Sequence, residues 1–240
     1  MSRFIHSWIM HLYRVAIGLS AAFGHEKAQG WLSMRKDNLT HVRAATATLA
    51  KREKWVWFHC ASVGEFEQAQ PVMEAMRKRN DSMKFMLTFY SPSGWLSFAR
   101  RKPDWWRQSD QVAAMPLDTP LSIRRFLQAL TPVNASAPAV QLLALSKYEI
   151  WPELISQMKL HAPMALFAAH VIPGRWPFGP FGRFHRAAWR QLDEVLVQNE
   201  DSVLELNRWD VDAKIGGDPR FDRVLEAQKV MANQPDAALT

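Results

Sequence analysis

Two glutamates stand at matching points in this sequence. Glu65 closes the turn Ser62-Val63-Gly64-Glu65, between an apolar run at 54–59 and a helical pattern at 65–79. Glu149 opens Glu149-Ile150-Trp151-Pro152, just after the most apolar run, 139–145. A carboxylate so placed can act as a general base toward a hydroxyl. It can also complement the positive end of the helix that follows, and spacing alone favours this second use. Ser62 offers a hydroxyl beside it. Gly64 would let a ligand approach the backbone, or would supply a positive φ. Trp151 suits either a core aromatic or a flat platform for a sugar ring. Ser91, Ser93 and Gly94 follow another apolar run. Their hydroxyls and amides suit a phosphate or a sugar oxygen, although helix capping is the plainer use of the serines.

Other chemistries lack their residues. No GxxxxGK[ST] phosphate loop, GxGxxG dinucleotide turn, zinc-ligand spacing or Ser-His-Asp signature occurs. No recognition helix or RNA-stacking strand set is present, so no nucleic-acid partner is expected. Neither a cofactor nor a metal is expected. The single cysteine, Cys60, ends an apolar run and suits a buried thiol rather than a nucleophile. Asp218, Arg220, Asp222 and Arg223 form a charged turn in "GGDPRFD", which suits a surface ion-pair loop and lacks phosphate-loop spacing.

The elements that must position these groups alternate. Strand patterns at 54–59, 84–90, 111–118, 139–145, 163–169, 194–199 and near 213–216 are separated by helical patterns at 65–79, 119–130, 148–161, 184–192 and 200–209. Thr119 and Pro120 have the types of an N-cap and first helical residue. Pro71 predicts a late start or a kink in the helix that carries Glu65. Such alternation predicts an α/β fold, with a Rossmann-like parallel sheet and helices on both faces. Ligands of such sheets sit beyond the carboxyl ends of the strands. The loops at 60–65, 90–94, 146–152, 169–183 and 199–201 are therefore the ones to watch.

Charge is uneven along the 240 residues. Residues 1–130 hold 19 Lys+Arg and 10 Asp+Glu, a balance of +9, and 131–240 hold 11 and 13, a balance of −2. The first part favours an anionic partner or is simply a basic solvated surface. Residues 4–23 are rich in apolar and aromatic types, with Arg14 near the middle. Trp8, Leu12, Ala16 and Leu19 recur at helical spacing beside Ile5, Ile9 and Ile17. That pattern predicts an interfacial helix lying on a membrane, with a surface helix packed on the domain as the alternative. No small-residue cleavage site follows it, so export is not indicated.

Taken together, "HCASVGEFEQAQPVMEAM", "SPSG", "YEIWPELI", "VLVQNEDS" and "GGDPRFDRV" resemble, in order and spacing, the 3-deoxy-D-manno-octulosonic acid (Kdo) transferases of lipopolysaccharide assembly. "GDPRFDRV" and "GWLSMRK" look like the Bacteroidetes branch. The resemblance covers roughly residues 30–224. It implies the N-terminal half of a GT-B glycosyltransferase, which holds a phosphorylated lipid A precursor while a C-terminal domain holds the donor, CMP-Kdo. It implies a metal-independent inverting displacement with Glu65 as general base and Glu149 as a second acceptor-side carboxylate. The base is expected to be ionised at neutral pH, helped by the helix N-terminus at Gly64. Arg35, Lys36, Arg100, Arg101 and Lys102 are candidate contacts to phosphate or to an anionic membrane at the cytoplasmic face of the inner membrane.

The expected organisation is a membrane-associated helix at 1–24, a basic connector at 25–53, an acceptor-binding domain at 54–224 and the start of a linker at 225–240. The donor domain would follow where the chain stops, so this chain alone is expected to be inactive. Many members carry Asn-Ala-Arg where this sequence has Ala168-Ala169-His170, which removes a polar group from that loop. Two other readings compete: a lipid A-precursor binding module without catalysis, and an unrelated nucleotide-binding Rossmann-like domain.

Overall fold

The computed structural model describes residues 2–173 and 182–222, together with 224, 225 and 228. Among them a 7-stranded sheet runs in the order β3-β2-β1-β4-β5-β6-β7, with every neighbouring pair parallel. The strands are β1 (Trp55–Cys60), β2 (Lys84–Phe89), β3 (Gln111–Ala114), β4 (Val140–Ser146), β5 (Met164–Ala169), β6 (Glu194–Val197) and β7 (Lys214–Ile215). Three helices, α1 (Arg3–Ala22), α2 (Glu26–Ser33) and α3 (Asn38–Ala47), precede the sheet. The connections hold α4 (Val63–Arg79), α5 (Pro92–Arg100), α6 (Pro120–Ala129), α7 (Pro152–Met158), α8 (Arg183–Trp189) and α9 (Glu200–Asn207). This is the parallel α/β sheet with helices on both faces that the alternation predicts.

Burial explains why the strands lack a polar face. All six residues of β1 are buried. Trp55 and Trp57 pack into a core with Phe126 of α6 and Ile155 and Met158 of α7. The alternate residues Val56, Phe58 and Cys60 pack into a second core with Phe66 and Met73 of α4 and Phe98 of α5. Each such large side chain contributes about 1.5–3 kcal/mol on burial. Cys60 lies in the second core, and burial pushes its thiol well above the usual range, so it is no nucleophile.

Local differences from expectation have plain causes. α4 begins at Val63 and runs through Pro71. An interior proline costs about 3 kcal/mol, and burial of Phe66, Ala69 and Met73 on the same helix offsets it. β3 ends at Ala114 rather than 118, because Pro116 cannot donate to a ladder. The chain then turns Asp118 inward, where it accepts the N–H groups of Glu153 (3.1 Å) and Leu154 (2.9 Å) and so caps α7, whose first residue is Pro152. Thr119 caps α6 as its type and place suggest. The stretch 25–53 holds α2 and α3, which bury Ala28, Trp31, Val42 and Ala45. Most of the Pro/Gly/aromatic loop at 171–183, Arg223 and most of 225–240 lie outside the described residues.

α1 has two faces. His6 Nε2 lies 2.8 Å from Asp118 Oδ2, Arg3 pairs with Glu153, and the Tyr13 ring stacks on Tyr90 at 6.3 Å. The other face exposes Phe4, Trp8, Leu12, Val15 and Leu19 in a stripe at helical spacing, continued by Phe23 just beyond the helix. No helix among the described residues is long and apolar enough to cross a membrane.

Candidate active site

The sheet changes direction of progress at β1, which has β2 on one side and β4 on the other. The connections leaving β1 and β4 therefore diverge and open a crevice beyond their carboxyl ends. Glu65 follows β1 and Glu149 follows β4, close enough that the charge of Glu149 acts on the Glu65 carboxyl. Glu65 is also the third residue of α4 and forms a capping box with Ser62. Its Oε2 accepts the Ser62 N–H at 3.1 Å and the Ala61 N–H. The side chain thus folds back over the strand end and is only 9% exposed.

Around the pair is a shell of which sequence reading named Trp151 but missed His59, Thr88 and Tyr90. Trp151 Nε1 donates to Glu149 Oε2 at 2.6 Å. His59 lies at the end of β1, fully buried, with Nε2 3.4 Å from Glu149 Oε2. That nitrogen has no hydrogen bond. The other ring nitrogen, Nδ1, lies 2.9 Å from Thr88 Oγ1, which accepts from Trp57 Nε1 at 2.8 Å. One signal for His59 was available: it is the polar residue of the otherwise apolar stretch 55–60. Tyr90, just after β2, packs its ring on Trp151 at 4.7 Å.

The electrostatics differ from expectation. Burial, then the neighbouring charge of Glu149, push the Glu65 carboxyl up to about 8, against the pull of two backbone N–H groups. The helix N-terminus does not keep it ionised at neutral pH; desolvation and a like charge win. Replacing Glu149 by Gln removes the like charge and supplies a donor amide, so the Glu65 carboxyl is expected to titrate below 8. A ¹³C carboxyl NMR titration checks this, and an unmoved titration would leave burial as the whole cause.

The other candidate residues fall into two groups. Trp151, Ser62 and Gly64 lie at the carboxylate pair; a Cβ on Gly64 would meet open space, and its φ is not positive. Ser91 stands at the N-cap position of α5 without a side-chain cap bond, donates its N–H to Ala61 O at 2.8 Å, and its Oγ lies 2.6 Å from Ser93 Oγ. These hydroxyls thus stand one strand over from Glu65. Gly94 is a packing glycine, since a Cβ there would fall on the Phe89 ring. Asp218 is more than a surface ion: besides Arg220 it accepts from buried Gln68 of α4 at 3.1 Å, one turn beyond Glu65. Ala168 has φ 54, a left-handed conformation that Asn tolerates better than Ala.

The basic candidates separate. Arg35 and Lys36 line a hollow of about 360 Å³ beside α1 and α6. Arg101 and Lys102 line another, of about 550 Å³, together with Glu67, Glu74 and Asp104. A larger hollow of about 730 Å³, between α2, α3 and α5, contains neither carboxylate of the pair.

Comparison with known proteins adds the following. Residues 35–223 match the family described as 3-Deoxy-D-manno-octulosonic-acid transferase (kdotransferase). The 3-deoxy-D-manno-octulosonic acid transferase of Bordetella pertussis is 32% identical over 178 residues, 72% of this chain and 39% of that protein. The protein of the same name from Aquifex aeolicus is 29% identical over 100 residues, 42% of this chain and 24% of that protein. Another, from Haemophilus influenzae, is 25% identical over 149 residues, 61% of this chain and 32% of that protein. The aligned part of this chain therefore spans two fifths or less of each of these relatives.

Proposed function

Because the chain belongs to the Kdo transferase family, we propose that it forms the acceptor-binding half of an inverting transferase, with Glu65 as general base. The observation that carries this reading is the Glu65–Glu149 pair in the crevice between β1 and β4. In the reaction, a sugar hydroxyl of a phosphorylated lipid A precursor attacks the anomeric carbon of Kdo held as CMP-Kdo. The hydroxyl proton goes to Glu65, the new C–O bond forms, and the bond from the anomeric carbon to the phosphate oxygen of CMP breaks with inversion. Glu149 holds Glu65 near the operating pH, where a carboxylate is a stronger base than at its ordinary value. Trp151 and Tyr90 offer a face to the sugar. The reading calls on no cofactor or metal. Membership of the family sets aside an unrelated nucleotide-binding domain.

A second reading, acceptor binding without catalysis, draws support from the capping role of Glu65, which explains that residue without any reaction. Reconstitution separates the two. The chain is combined with the donor half of a relative, CMP-Kdo and a tetra-acylated lipid A precursor. Formation of Kdo-lipid supports transfer; retained lipid binding without product supports the binding module; absence of lipid binding removes both.

The same proposal places the chain on the cytoplasmic face of the inner membrane through the exposed stripe of α1. An amphipathic helix binds in proportion to the apolar area it inserts. Trp8→Asp with Leu12→Asp is expected to abolish cosedimentation with anionic vesicles while leaving the circular dichroism unchanged, because both side chains are exposed. Undiminished cosedimentation would place the membrane contact elsewhere.

A further inference from the structure

We propose that the hollow between α1, the end of α2 and α6 binds a phosphate group, with Arg35 as its floor and Arg14, Lys36 and Arg125 as its rim. It adds a ligand subsite to the acceptor reading above. Four cations line this space of about 360 Å³, and no carboxylate does. Among the described residues none of the four makes an ion pair. The contrast with Arg77 is direct: that guanidinium, which lies deeper, is matched by Asp110.

Arg35 is positioned without being neutralised. Its Nη1 donates to Trp31 O at 3.0 Å and its Nη2 to Tyr90 O at 2.9 Å. Its guanidinium lies 3.5 Å from the Trp31 ring centroid and 4.9 Å from that of Tyr90. Its Nε is buried with no partner. Carbonyls and rings fix the plane of the group, but a mostly buried cation without an anion is costly. Burial lowers its pKa to about 10, and no carboxylate opposes that shift. An oxyanion would supply the missing charge and take the second N–H of each terminal nitrogen. Ser122 on α6, whose Oγ accepts from Thr119 Oγ1 at 2.9 Å, keeps its own proton to donate.

The placement connects this hollow to the carboxylates. Pro116 and Leu117 line it from beyond β3, and Tyr90 follows β2, so it opens on the same edge of the sheet as Glu65 and Glu149. One aromatic contact, Tyr90 on Trp151, separates the Arg35 site from the residue that donates to Glu149. A phosphorylated sugar could place its phosphate at Arg35 with its ring toward the pair.

The test measures binding rather than transfer, so its failure and that of the Glu65 reading are distinguishable. The probes are inorganic phosphate and glucosamine 1-phosphate by calorimetry, and phosphatidylcholine vesicles with and without phosphatidic acid by cosedimentation. Arg35→Gln is expected to weaken binding about tenfold or more. The double variant Arg14→Gln, Arg125→Gln changes exposed groups only and is expected to weaken it too, which covers the case that Arg35→Gln fails to fold. The double variant Arg79→Gln, Lys159→Gln changes two exposed cations outside the hollow and is expected to bind as the wild type does. Binding of the soluble probes assigns the site to free phosphate compounds, and binding only of phosphatidic acid vesicles that Arg35→Gln weakens, beyond the part carried by Trp8 and Leu12 of α1, assigns it to a lipid headgroup. Both support the site. It is overturned if no probe binds, if the Arg14/Arg125 variant binds undiminished, or if the Arg79/Lys159 variant loses as much.

Discussion

On the proposed function, with the donor half of a relative supplied, Glu65→Gln is expected to lower Kdo transfer by about 10²–10⁴-fold, the usual contribution of a positioned general base, while acceptor binding persists. The glutamine oxygen can still accept the Ala61 and Ser62 N–H groups, so the capping box and the start of α4 should survive. The rate should depend on pH with a limb near 8. Below that value Glu65 holds a proton and cannot accept one; above it the base is free, so activity rises as pH approaches 8 from below.

Stability should move the opposite way. The carboxyl is near 4.5 in the unfolded chain and about 8 in the folded one, so between these values the folded state binds more protons. The wild type therefore loses stability as pH rises from 4.5 to 8. Glu65→Gln lacks that loss. Denaturant midpoints of both proteins across this range check the sign. A variant that keeps full transfer, or a stability difference that does not grow with pH, would remove Glu65 as a base with a raised pKa.

Asp110→Ala is expected to be the most destabilising of the changes considered, at about 3–5 kcal/mol, the cost of breaking a buried ion pair from one side. Both carboxylate oxygens of Asp110 lie 2.6 Å from Arg77 Nη2. They also accept the Phe85 N–H and the Arg107 N–H, each at 2.9 Å. The substitution strands a guanidinium that is 5% exposed and frees two backbone donors. In a chain of this size that is a fall of roughly 6–20 °C in Tm. Calorimetry on the chain decides it. A shift of a degree or two would mean that water reaches Arg77 once its partner is gone. The pair ties α4 to the connection before β3, so the loss should also loosen the helix that carries Glu65.

What the sequence by itself determined is the local and periodic part. Strands without a polar face and helices with one apolar face follow from residue types at periods of 2 and 3.6, and all seven strand patterns recur in the structure in their order. Thr119, Pro120 and Pro152 mark helix starts because capping and proline geometry act over three or four residues. The motif strings carry the family, and the family match covers the same stretch. The apolar stripe of α1 is legible for the same reason of period.

Only the tertiary structure decided how groups far apart in the chain meet. Glu65 and Glu149 come within reach of each other's charge because β1 and β4 are neighbours, although β2 and β3 come between them in sequence. The raised pKa follows from burial and a like charge, and neither is a property of a sequence window. His59 became a neighbour of Glu149 through the same pairing. Arg35 gained its aromatic walls and its unpaired state from α1, α2 and the end of β2 together. Asp118 became the cap of α7 and the anchor of His6 across 35 and 112 positions of sequence. Local forces set the elements, and the order of strands in the sheet sets which charges share a low dielectric and so which of them can do chemistry.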